Sequence, residues 1–328
     1  MLAPPQAIFL PSDTTTVFII GDVMMHKKQL DYVPDKFLKH ISPQMKKADF
    51  CVANMEFSLG GPPYTGYPAF STPDWYAEYV QRCGANVFLT ANNHILDRQV
   101  RGLKRTIQVY DKMADSLGIR YTGVGCAPLI LKKRGITIAL VNFTYGTNAK
   151  APESGTDVLR MKKEDISQAL DSARRAGADF IVALPHWGTE YKLRHNASQE
   201  EWARWLVDQG CSVIVGAHPH VVQDSTHIKG VPVMYSIGNA VSNMSAENTR
   251  LELAVTLRFV NDGNRGLKYM LEPQLHWMWC TLPGRLTDSY ATIFVKEWAT
   301  RRSEWLIPSD YDNMMETLGR VQSSTGIQ

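Results

Sequence analysis

The sequence predicts an α/β layered fold, because short apolar runs rich in β-branched residues alternate with amphipathic segments of helical period. A second observation supports the same class: each run stops abruptly, and polar groups follow within a few residues. The runs TVFIIG (16–21), DFCVAN (49–54), NVFLTA (86–91), ITIALVNF (136–143), DFIVALP (179–185) and SVIVG (212–216) read as buried strands. Between them, segments 35–47, 73–83, 99–117, 162–176 and 199–209 read as helices. Thr72 before Pro73, and Ser198 before Glu200 and Glu201, have the form of N-caps. After residue 230, VPVMYSIGN and LELAVTLRFV follow one another without a helix between them, which predicts a second sheet or an antiparallel continuation of the first. Residues 1–260 read as one domain and 261–328, rich in Trp and Met, as a C-terminal extension packed on it. GGPPYTGYPAFSTP (60–73) is too dense in Gly, Pro and aromatics for regular structure; loops of this length are often functional, and packing on its own tyrosines is the alternative.

Composition removes several function classes. The 328 residues are 44% hydrophobic and 20% charged, with a net charge of +3 and no long block of one sign. That balance argues against nucleic acid or an anionic membrane surface as partner. No apolar run is long enough for a transmembrane helix. MLAPPQAIFLP at the start lacks a basic segment and is broken by Pro4 and Pro5, so it is a poor signal peptide. A soluble, cytoplasmic protein is expected, or a periplasmic or extracellular one if a leader was removed. Cys51, Cys83, Cys126, Cys211 and Cys280 form no CxxC and read as buried reduced thiols.

The chemistry-bearing residues recur at strand ends. Asp22 and His26 follow VFIIG; Asn54 and Glu56 follow FCVA; Asn93, His94 and Asp97 follow VFLTA; His186 follows IVALP; His218 and His220 follow VIVG. In open α/β sheets the ligand crevice lies at the carboxyl ends of strands, so residues distant in sequence can converge there. Carboxylate, amide and imidazole donors without thiolate suit a catalytic manganese, iron or zinc ion better than a closed structural zinc site. Asp22, His26, Glu56, Asn93, His186, His218 and His220 are too many for one tetrahedral ion and enough for two divalent ions sharing a carboxylate. Each has an ordinary alternative: a helix cap for Asp22, an exposed first-turn position for His26, a solvated acid for Glu56, an Asx turn for Asn93, a core imidazole for His186.

The order GD (21–22), NxE (54–56), ANNH (91–94), PHWG (185–188) and GAHPH (216–220), with YSIGN after it, resembles the CapA-type capsule-synthesis family associated with poly-γ-glutamate production, over residues 16–245. The resemblance implies a calcineurin-like metallophosphoesterase fold, a four-layer α/β/β/α sandwich with a di-metal centre. It places Asp22 and His220 on one ion, Asn93, His186 and His218 on the other, and Glu56 between them. His94 occupies the family's position for a general acid. Asp97, three residues on, could orient that imidazole or cap a helix. Two departures stand out: Met24 occupies the position of the imidazole in Asp-x-His, with His26 as a possible substitute, and Glu56 replaces the usual Asp. The expected activity is hydrolysis of a phosphate ester or γ-glutamyl amide by a hydroxide shared by two ions; the rival is a non-catalytic accessory subunit of capsule or polyglutamate assembly. The substrate is expected to be a small or polyglutamate-like anion. Asn54, Tyr67, Trp187, Tyr191 and Arg194 are candidate substrate contacts, and Lys27 and Lys192 candidate anion partners, with surface charge and aromatic packing as the alternatives.

Overall fold

Val17 and Ile19 point to one side of the first strand and Phe18 and Ile20 to the other, and this alternation, repeated along each strand, generates the layers. The computed structural model describes residues 13–149 and 158–328, so the leader reading of Met1–Pro11 falls outside the described residues. Strands β1 (Thr14–Val23), β2 (Phe50–Met55), β3 (Val87–Leu89) and β4 (Arg120–Thr122) pair in parallel in that order. The second sheet comprises β5 (Leu129–Lys133), β6 (Ile136–Thr144), β7 (Phe180–His186), β8 (Val213–Val215), β9 (Ser225–Ile228) and β10 (Val231–Met234), in the order β5-β6-β7-β8-β10-β9. The chain then returns to the first sheet. There β11 (Asn239–Val241) lies parallel beside β1, and β12 (Leu251–Asp262) is antiparallel to β1. β13 (Leu267–Met270), β14 (Gln274–Thr281) and β15 (Ala291–Phe294) complete that sheet. Of the two possibilities left open after residue 230, β12 takes the antiparallel continuation.

Between the sheets, Val17, Ile19, Val52 and Val255 meet Ile138, Leu140, Val182 and Val215 in one buried cluster. Outside the first sheet, α1 (Ser42–Lys47), α2 (Asp74–Arg82) and α3 (Gln99–Leu117) bury Met45, Tyr76, Val80 and Tyr110 against Phe18, Cys51 and Phe88. Outside the second, α4 (Lys163–Arg175) and α5 (Ala197–Asp208) bury Ile166, Leu170 and Leu206 against Val141, Ala183 and Ile214. The result is the expected four-layer α/β/β/α sandwich. No helix among the described residues is long and apolar enough to cross a membrane.

Several local expectations are corrected. The helix expected over 35–47 is a 3₁₀ turn at Pro34–Lys36 followed by the short α1, which starts with Pro43 in its first turn. A proline there lacks the N–H that a longer helix would need, so the segment restarts instead of running through. Helix α2 is preceded by Pro73 rather than capped by Thr72. Helix α5 is capped by Asn196, whose side chain accepts from the Gln199 N–H while the Gln199 side chain answers the Asn196 N–H, leaving Ser198 inside the helix. This reciprocal pair satisfies two free donors, which a serine two residues later cannot. Cys51, Cys83, Cys211 and Cys280 are buried, but Cys126 is exposed.

The C-terminal residues are bound into the sandwich. After α6 (Val295–Trp298), helix α7 (Pro308–Thr325) contributes Met314 and Val321 to the inter-sheet cluster. Arg250, immediately before β12, grips Asp310 of α7 through two bonds of 2.8 and 2.6 Å, and its Nε donates to the Cys280 carbonyl at 2.9 Å. Both side chains are 4% exposed. Removing one partner leaves a buried charge unpaired, so Asp310→Ala is expected to lower unfolding stability by about 3–5 kcal/mol in chemical denaturation. A loss below about 1 kcal/mol would show that this pair does not hold α7 in place.

Candidate metal centre

Register brings the first polar groups together. In the parallel pairing of β1 with β2, Asp22 lies opposite Asn54, and Glu56 stands two residues further on, its N–H donating to the Val23 carbonyl at 3.1 Å. The second sheet delivers His186 at the end of β7, and the turn after β8 delivers His218 and His220. The two latter residues have φ of 101° and 57°, a region that side chains other than glycine enter at a cost. The sheets are stitched at this point: the His218 N–H donates to Asp22 Oδ2 at 3.2 Å.

The side chains converge closely. His186 Nε2 lies 2.7 Å from Asn93 Oδ1 and 3.5 Å from Glu56 Oε1, and its Nδ1 lies 4.0 Å from Asp22 Oδ1. His220 Nδ1 is 3.5 Å from Asp22 Oδ2 and 3.8 Å from Glu56 Oε2. One donor atom from each of Glu56, His218 and His220 falls within 4.8 Å of the others. Both Glu56 oxygens and His218 Nδ1 are buried with no hydrogen-bond partner. A buried carboxylate left unpaired costs several kcal/mol unless it is neutralised, protonated or bound to a cation.

The electrostatics follow from that packing. For Asp22 burial works against ionisation, but the neighbouring His220 and His186 and the Asn54 amide, 2.6 Å from Oδ1, prevail and hold its pKa down at about 2. Glu56 is pushed well above the usual carboxylate range, first by burial and then by Asp22. Burial and neighbouring imidazoles push His186 well down and His218 to about 3, so both present neutral nitrogens. His220 is raised, because the contact with Asp22 outweighs burial.

His94 stands beside this group. Its Nδ1 lies 2.6 Å from Asp97 Oδ2, which also accepts the Phe70 N–H at 2.7 Å, and its ring packs edge-on against Phe70 at 4.6 Å. Phe70 also holds His26, ring to ring at 5.3 Å, and His26 Nε2 is buried without a partner. His26 is pushed down to about 4 by burial, with His220 and His94 adding to the effect. Met24 is buried in the outer cluster of the first sheet.

The candidate substrate residues divide. Tyr67 and Tyr191 are 74% and 54% exposed, with Tyr191 at 6.1 Å from the His220 ring. The exposed Arg194 pairs with Asp224 at 3.6 Å. Trp187 is a correction: its indole belongs to the cluster under α4 and α5, and Nε1 donates to the Tyr235 carbonyl at 2.8 Å, so it presents no face to a cleft. Asn54 is likewise buried rather than exposed to substrate, its amide placed between Asp22 and His186 Nδ1, the latter at 3.1 Å.

Three residues escaped the sequence reading. Tyr145 lies over His218 with ring centres 4.6 Å apart, and Asn148 Nδ2 is 3.3 Å from His94 Nδ1. Both follow the β6 run, so the strand-end rule applied there would have found them. Asn239, in YSIGN, meets His220 Nδ1 at 2.9 Å.

Two packed sheets with buried oxygen and nitrogen donors at their joined strand ends define a four-layer α/β/β/α protein with a candidate metal centre. Residues 16–244 match the family described as bacterial capsule synthesis protein PGA_cap, and the chain belongs to that family. It is similar to the capsule biosynthesis protein CapA of Bacillus anthracis, 28% identical over 273 residues that cover 77% of this chain and 66% of that protein. The PGA biosynthesis protein CapA of Bacillus subtilis (strain 168) is 27% identical over 277 residues, 79% of this chain and 71% of that one. Among solved structures, a novel phosphatase from Mycoplasma pneumoniae is 13% identical with a TM-score of 0.45, covering 81% of this chain and 94% of that one.

Proposed function

We propose that the chain is a divalent-metal-dependent hydrolase of capsule or poly-γ-glutamate metabolism, cleaving a phosphate ester or a γ-glutamyl amide. The observation that carries this reading is the Glu56 carboxyl group, buried with neither oxygen hydrogen-bonded, beside the neutral imidazoles of His186 and His218. The donor set fits manganese, iron or zinc: hard oxygens and borderline nitrogens, no thiolate. Asp22, Glu56 and His220 would hold one ion, and Asn93, His186, His218 and the same Glu56 the second. Ions bound there supply an ionised water at neutral pH and take up charge that develops on the attacked group.

The remaining work belongs to the chain. Asn54 positions Asp22 through its amide. Asp97, fixed by the Phe70 N–H, holds the His94 ring by Nδ1, which leaves Nε2 beside the Asn148 amide at 3.4 Å. His94 then donates a proton to the departing oxygen or nitrogen. Tyr191, exposed beside the His220 ring, would meet an anionic substrate, with Tyr67 and Arg194 as the further candidate contacts.

Elemental analysis of the purified chain, coupled to a panel of phosphomonoesters, phosphodiesters and γ-glutamyl peptides with added manganese, tests the proposal. About two ions per chain and metal-dependent turnover of one class are expected. A folded chain that rejects manganese sinks the catalytic reading. A chain that binds polyglutamate yet turns over none of the panel is an accessory subunit instead.

A further inference from the structure

The motif YSIGN takes no part in the ligand set, yet it lies against it. Strand β11 runs beside β1 with Asn239 opposite Asp22. The approach depends on Gly21, where a Cβ would stand 1.9 Å from the Gly238 carbonyl oxygen, and on the φ of 73° that Gly238 adopts. The Asp22 N–H donates to that same carbonyl at 3.2 Å.

Asn239 is fully buried, and its orientation is settled by its donors. The amide nitrogen donates to the Thr249 carbonyl at 2.9 Å and lies 3.4 Å from the His220 carbonyl and 3.7 Å from Met244 Sδ. The amide oxygen thereby faces His220 Nδ1 at 2.9 Å, nearer than Asp22 Oδ2 at 3.5 Å or Glu56 Oε2 at 3.8 Å. An amide oxygen only accepts, so the proton of a neutral His220 sits on Nδ1 and the lone pair on Nε2. Fixing the tautomer of a ligating histidine through its other nitrogen is a recurrent way to set ligand basicity and ring direction.

We infer that Asn239 is a positioning residue for the metal centre: it holds His220 as the Nδ1–H tautomer and leaves Nε2 as the ligating nitrogen. This rests on the reading of His220 as a ligand. It also assigns the glycine pair a task, since a side chain at position 21 would drive Asn239 away from His220.

The test uses the full chain with 15N-labelled histidine, the His220 signals being assigned by their loss in His220→Gln. In the metal-free parent, at a pH alkaline enough for the raised His220 to be neutral, Nδ1 is expected to give a protonated-nitrogen signal and Nε2 an unprotonated one. Asn239→Asp keeps an oxygen facing Nδ1 but sets its other oxygen against the Thr249 and His220 carbonyls, so it is expected to keep the Nδ1–H signal while losing stability. Asn239→Ala is expected to mix the tautomers and weaken Mn2+ binding by about 10- to 100-fold in calorimetric titration. An unchanged His220 signature in Asn239→Ala overturns the inference, as does loss of the Nδ1–H signal in a folded Asn239→Asp variant. Should Asn239→Ala not fold, an Nε2–H signal with an unprotonated Nδ1 in the parent still overturns it. A parent that shows the Nδ1–H signature but binds no manganese removes the metal reading itself, and that failure is distinct from a wrong tautomer.

Discussion

Glu56→Gln is expected to abolish stabilisation by manganese while leaving the metal-free protein as stable as the parent or more so. The carboxyl is buried with neither oxygen bonded, and burial together with Asp22 holds it against ionisation. In the metal-free chain a neutral amide of the same shape therefore replaces a group that is itself held neutral, with no buried charge to lose. With metal the comparison reverses, because the carboxylate that would serve both proposed ions is replaced by an uncharged oxygen. Losses of outer partners of metal ligands already cost about 10- to 100-fold in affinity, so a shared ligand should cost at least about 100-fold. At manganese one hundred times the parent's Kd, the parent gains about 2.7 kcal/mol and the variant well under about 1 kcal/mol. Thermal melts of both proteins with and without manganese read this directly. Equal stabilisation of the two would remove Glu56 from the centre and with it the di-metal proposal.

His94→Ala should separate catalysis from metal binding. His94 is held by Asp97 and Phe70 and contacts Asn148, beside the ligand cluster rather than within it. Removal of a positioned general acid costs about 100- to 10,000-fold in kcat. Metal content per chain should stay at the parent's value, since Asn93, the adjacent residue, meets His186 through its own side chain. A fully active variant would show that protonation of the leaving group comes from elsewhere. A variant that loses metal together with activity would place His94 among the ligands. The two outcomes are told apart by elemental analysis of the same sample used for turnover.

The layered class, the six buried strands and the family were legible from the chain alone, and for a physical reason. Strands buried on both faces, such as VFIIG and IVALP, must be apolar at nearly every position, so they stand out from flanking polar residues. The helix starts were less legible because capping depends on reciprocal hydrogen bonds, as between Asn196 and Gln199, and several neighbouring residues have the right chemistry for it. Trp187 shows the same limit at the site. Its neighbour His186 ends a strand facing the carboxylates, and the next residue of an extended chain turns to the opposite face, so the indole enters the helix-covered cluster.

By itself the sequence determined which residues could act: carboxylates, amides and imidazoles placed where apolar runs stop, in an order shared with the family. Tertiary structure alone decided which of them meet. The β1–β2 register sets Asp22 against Asn54, the return of the chain as β11 brings Asn239 to His220, and the β6 end supplies Tyr145 and Asn148. These contacts depend on pairing between segments far apart in the chain, and pairing is fixed by the collective packing of two sheets rather than by any local pattern.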